Sequence, residues 1–161
     1  MRFLLAILFF VVSLFAQEVF YGSDAKQSFD IYYPDNNSSK EVIFMVHGGA
    51  WKYGDKASKR VVDNKLKLGK ILVSVNYRLS VDPKTQVEDI YEAFLKAKSI
   101  LGDKKYIIMG HSAGAHLATV MFLSKNDVWS GLVSLDTSYD MTNKRGFLYS
   151  VFSGKTKEYL R

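Results

Sequence analysis

Ser112 is the residue of this 161-residue chain whose setting speaks most directly of chemistry. It stands in Gly110-His111-Ser112-Ala113-Gly114, a G-x-S-x-G pentapeptide. Glycines two residues before and two after a serine leave room for a tight, strained turn that pushes its hydroxyl outward. A hydroxyl so placed attacks a carbonyl carbon when a base takes its proton and donors receive the resulting oxyanion. A helix opening at Ala113 would bring unpaired amides and a positive dipole end to that oxyanion. Taken alone the pentapeptide is a weak signal, and an ordinary Gly/Ser turn would look the same.

His47-Gly48-Gly49-Ala50-Trp51 is the second pattern. Two consecutive glycines let backbone N–H groups approach a substrate oxygen with no side chain in the way. Trp51 could wall a pocket for the acyl or alcohol group, or pack under the loop. His47 reads as a brace for this loop rather than as a general base.

Both patterns need elements to hold them. Glu41–Val46 is a short apolar run ending at His47, and Tyr106–Met109 is another ending at Gly110. Ile71–Val75 and Gly131–Leu135 are of the same kind. Short runs apolar on both faces suit buried parallel strands. Ser28–Tyr33 alternates and predicts an earlier strand, stopped by Pro34 and the turn-rich stretch 35–39. Val87, Ile90, Tyr91, Phe94, Ala97 and Leu101 mark one face of a helix, with Glu92 and Lys96 spaced for an ion pair. A second helix is expected over Ala113–Leu123 and a poorer one over Lys59–Leu68. Strands alternating with helices predict an α/β fold with a mainly parallel sheet. Each motif thus follows a strand, and the serine also opens a helix.

These segments together resemble a known family. His47-Gly48-Gly49-Ala50-Trp51, Gly54-Asp55-Lys56, Asn76-Tyr77-Arg78-Leu79 and Gly110–Ala118 are similar to stretches of α/β-hydrolases, in the esterase/lipase branch related to hormone-sensitive lipase and kynurenine formamidase. The resemblance runs from about Asp30 to the C-terminus. It implies a three-layer α/β-hydrolase fold and a carboxylesterase-type serine hydrolase cleaving small esters. It implies Ser112 as nucleophile, with Gly48, Gly49 and Ala113 as backbone oxyanion donors. Tyr77 and Arg78 read as structural, and Glu88-Asp89 as a solvated or capping pair. No cofactor is called for.

One part of the pattern is missing. In this fold the order along the chain is nucleophile, acid, then His. The three histidines are His47, His111 and His116, two before Ser112 and one on the helix it opens. The triad base is therefore not offered. Asp136, just after the run Gly131–Leu135, is the outside candidate for the acid, while it and Asp140 also read as structural. His111 and His116 are five apart, which does not fit the four-residue spacing of H-E-x-x-H, so no metal site is expected. The expectation is the front of a hydrolase cut before its final strands, aggregation-prone and inactive alone. A non-catalytic binding protein on the same fold, or a formamidase or peptidase of the superfamily, are the alternatives.

Composition agrees with a folded domain, at 48% hydrophobic and 24% charged residues. Absence of Cys excludes disulfides, thiolate metal sites and thiol catalysis. The net charge of +6 speaks to solubility, and the basic tail 144–161 reads as a solvated surface rather than a nucleic-acid site. Met1-Arg2, the apolar run from Phe3 and the exit Leu14-Phe15-Ala16 predict a secretory signal over 1–16. Cleavage would leave residues 17–161 as the N-terminal part of one hydrolase domain, exported and without a stable membrane span. An uncleaved anchor is the competing reading. The expected partner is a small-molecule ester.

Overall fold

The computed structural model describes residues 16–34, 39–58 and 69–135. Along the chain these form β1 (Gln17–Phe20), β2 (Ser28–Tyr32), β3 (Glu41–Val46), β4 (Ile71–Val75), α1 (Pro83–Leu101), β5 (Lys105–His111), α2 (Ala113–Ser124) and β6 (Gly131–Leu135). The six strands make one sheet in the order β1-β2-β4-β3-β5-β6. β1 and β2 run antiparallel to each other, as do β2 and β4, while β4, β3, β5 and β6 are parallel. In register, Val46 lies opposite Val75 and Gly110, and His111 opposite Leu135. The parallel strands therefore end together, and their carboxyl ends carry His47, Asn76 and Ser112 side by side. That end of an open α/β sheet is where ligands bind.

The expected runs Glu41–Val46, Ile71–Val75 and Gly131–Leu135 are strands residue for residue. β5 extends the expected run to Lys105 and His111, and β2 stops at Tyr32. β1 had no signal in the sequence, being four residues long and largely exposed. The expected helix Lys59–Leu68, residues 1–15, Asp136 and Asp140 lie outside the described residues.

α1 begins where Asp82 caps it, its side chain accepting from the Lys84 amide at 2.9 Å, and Pro83 supplies the first helical φ. It ends at Gly102, whose positive φ of 75° lets its amide return to the Lys98 carbonyl. Its buried face runs through Gln86, Asp89, Ile90, Ala93, Phe94 and Ala97. Phe94 is the centre of an aromatic group, 4.5 Å from Trp129, 5.2 Å from Tyr106 and 6.1 Å from Phe44 between ring centroids. α2 packs on the same side with Ala113, Leu117, Ala118 and Met121. Alternate strand residues meet these helices, among them Phe29, Val42, Phe44, Val46, Val73 and Ile108. The other face of the sheet carries Tyr32, Ile43 and Leu72, with Met45, Ile107 and Met109 against them. β3 and β5 thus carry apolar side chains on both faces, the pattern of strands inside a parallel sheet. Among the described residues, no helix is long and apolar enough to cross a membrane.

Candidate active site

Ser112 lies between the last residue of β5 and the first of α2, with φ 52° and ψ −121°. L-residues rarely adopt this backbone conformation, and it persists only where its surroundings impose it. Here they do. The Ser112 amide donates to the Leu135 carbonyl at 2.8 Å, and its carbonyl accepts from the Ala115 and His116 amides at 2.9 and 3.2 Å. The chain doubles back so tightly that a β-carbon on Gly110 would collide with the backbone of Gly114. A β-carbon on Gly114 would strike the carbonyls of Val46 and His47. Both glycines of the pentapeptide are therefore sterically required, one inside the turn and one where α2 meets the end of β3. Ala113 opens α2, in the first turn, where no intrahelical carbonyl reaches its amide.

The second motif comes to the same place. A β-carbon on Gly48 would lie 2.7 Å from the His111 carbonyl oxygen and 3.2 Å from Ser112 Cβ. Gly48 and Ser112, 64 positions apart in the chain, are neighbours because β3 pairs with β5. Gly49, Ala50 and Trp51 follow with φ of 127°, 51° and 61°. The Lys52 and Tyr53 amides both close on the Gly49 carbonyl, at 3.1 and 2.8 Å. Any side chain at Gly49 would meet the Tyr53 carbonyl. Trp51 is 4% exposed, packs with the main core and lies edge-on to His116 at 5.6 Å. Its carbonyl accepts from the Ser80 amide and the Gln86 side chain.

A layer of polar groups fixes this loop from below. The His47 ring stacks on Tyr77 at 4.5 Å, its Nδ1 donates to the Gly48 carbonyl at 2.8 Å, and the Tyr77 hydroxyl donates to the His47 carbonyl at 2.8 Å. Burial lowers the His47 pKa, so the ring is held neutral with its proton on Nδ1. That is the brace expected of it. Burial also lowers the pKa of His116. The far end of the loop is tied down by Asn76, whose Oδ1 accepts from the Lys56 amide at 2.6 Å and whose Nδ2 donates to Asp55 at 3.1 Å. Lys56 Nζ reaches Asp30 at 2.6 Å and Glu18 at 2.8 Å, joining the loop to β2 and β1. Burial opposes the charge on Asp55, but the Ala57 amide, Lys26 and Asn76 outweigh it and hold the carboxyl down to about 2.

The pair Glu88-Asp89 departs from expectation. Glu88 is exposed, but Asp89 is 2% exposed and caps nothing; Asp82 is the cap. Asp89 instead takes the Arg78 guanidinium through Nε and Nη2, the Arg78 amide, and Gln27 Nε2. Gln86, one turn earlier, donates to both the Arg78 and Trp51 carbonyls at 2.9 Å. A signal for both was present. Positions 86, 89, 90, 93, 94 and 97 share one helix face, so polar residues at 86 and 89 were bound to be buried. Among the described residues, no group of three or more His, Asp or Glu is disposed to hold a metal.

Comparison with known proteins places this arrangement. Residues 29–147 match the BD-FAE family. The chain is similar to esterase LipQ of Mycobacterium tuberculosis, at 34% identity over 63% of this chain and 29% of that protein. It is also similar to kynurenine formamidase of Scheffersomyces stipitis, at 28% identity over 74% of this chain and 48% of that protein. It therefore spans less than half the length of these curated relatives. A solved structure from Silicibacter sp. TM1040 superposes with a TM-score of 0.74, covering 90% of this chain and 59% of the other; at 23% identity it speaks for the fold. A mostly parallel sheet, a strained serine turn behind its fifth strand and this family match lead to one assignment: the chain belongs to the BD-FAE family, within the esterase branch of the α/β-hydrolases.

Proposed function

We propose that Ser112 is the nucleophile of a carboxylesterase-type reaction, with the Gly48, Gly49 and Ala113 amides receiving the oxyanion. One observation carries this reading: a non-glycine residue is held at φ 52°, ψ −121° with Gly48 packed directly against it. In the complete enzyme the Ser112 oxygen would add to an ester carbonyl and the alcohol would leave. Water would then release the acid from acyl-Ser112. Trp51 is too buried to offer more than an edge to a substrate. Asp136 is the outside candidate for the acid. The reading assigns the triad base to none of the three histidines; the stacking of His47 on Tyr77, the contact of His116 with Trp51 and the place of His111 before the nucleophile support it. Loss of the catalytic His costs about 10⁶ in kcat in subtilisin, so residues 1–161 alone are expected to turn over esters negligibly. The likeness to a formamidase supports attack on an N-formyl group by the same machinery as a second reading. The leader supports export of the chain.

The test supplies the missing base from solution. The chain is incubated with p-nitrophenyl acetate, with and without imidazole, and digested for peptide mass spectrometry. Acetyl on Ser112 that rises with imidazole and vanishes in Ser112→Ala supports the proposal. Acetylation confined to surface lysines in both proteins overturns it.

A further inference from the structure

Gln17 stands at two boundaries at once. In the sequence it follows the Leu14-Phe15-Ala16 exit of the leader, and in the fold it is the first residue of β1, paired with Ile31. We propose that the mature chain begins at Gln17 and that this residue closes on itself to pyroglutamate. The proposal rests on the export reading above and adds a modification site to it.

The chemistry is complete within one residue. The neutral α-amine adds to its own Cδ carbonyl, the N–Cδ bond forms, the Cδ–Nε2 bond breaks, and ammonia leaves with the proton. No oxidant or co-reactant is needed. An α-amine titrates near 7.7–8.0, so its neutral form is present at ordinary external pH. Attack through a five-membered ring gains the advantage of proximity.

The fold favours the product in three ways. The Gln17 side chain is exposed, so its carboxamide has room to turn toward the amine. The Tyr33 hydroxyl faces Gln17 Oε1 at 3.5 Å, on the oxygen that gathers charge as the amine adds. Ring closure uses only the amine and side chain, so the Gln17 carbonyl stays available to the β1–β2 ladder. There is also an electrostatic reason. The neighbouring Glu18 carboxylate is a partner of Lys56, the anchor of the glycine loop, at 2.8 Å. A free ammonium at residue 17 would compete for that carboxylate, and a neutral lactam does not.

The experiment reads the N-terminus of the full chain expressed in a secretion-competent cell, recovered from the exported fraction and quenched at once in acid. The expected N-terminal peptide starts at residue 17, is lighter by one ammonia and resists amine labelling until treated with pyroglutamyl aminopeptidase. Gln17→Ser, cut at the same place, should keep a fully labelled amine. A peptide starting at Gln17 with a free amine overturns the modification while leaving export standing. A peptide that retains the leader overturns both, and because the readout is made on denatured protein it is independent of activity or folding.

Discussion

At the scale of single residues, the glycine loop is held in place by buried atoms beneath it. Tyr77 has no exposed surface, and its hydroxyl is a partner of the His47 carbonyl just before the glycine pair. Tyr77→Phe keeps the stacked ring but strands that carbonyl. Leaving a buried acceptor without its donor costs about 1–3 kcal/mol, to be read from urea unfolding midpoints. Ser112 and its flanking glycines were legible before any coordinates, because their conformational demands leave a fixed spacing in the chain. The role of Tyr77 was legible only as "structural". Nothing local says that an aromatic 30 residues downstream will cover the His47 ring.

Elements were legible where their residues form an apolar run or stripe. β3, β4 and β6 announce themselves as apolar runs, the pattern of parallel strands, although β6 is only partly buried. β1, short and largely exposed, has no such pattern to show. α1 was legible by its apolar stripe, yet Asp89 on that same stripe read as solvent-facing, since its partners Arg78 and Gln27 lie 11 and 62 positions away. The clamp predicts a cost. Breaking a fully buried pair is worth 3–5 kcal/mol, and because the Arg78 side chain is 36% exposed the loss in Asp89→Ala should be nearer roughly 2 kcal/mol. Chemical denaturation of that variant beside Glu88→Ala checks it, with the exposed neighbour expected to change little.

For the whole molecule, buried histidines and a stabilised carboxylate predict how stability follows pH. His47 and His116 have native pKa values below their unfolded value through burial. Unfolded chains therefore take up protons that the native state refuses, and stability falls as pH drops through about 6.5. Asp55, held at about 2 against 3.8, adds stability that is complete above its unfolded pKa and is lost between about pH 4 and 2. Melting temperatures measured from pH 8 to 3 should thus decline in two stages. Replacing His116 by Leu should shallow the first stage and leave the second unchanged.

The backbone of Ser112 has a thermodynamic consequence of its own. At φ 52° and ψ −121° a glycine would sit more comfortably than a serine. Strain of this kind is worth about 1–3 kcal/mol, and the entropy of an added glycine returns about 0.5–1. Ser112→Gly should therefore melt higher than the natural chain, by a net gain of about 1 kcal/mol, whereas Ser112→Ala, which keeps the β-carbon, should not. The difference in melting between those two variants measures the stability this backbone forgoes by carrying a β-carbon at residue 112.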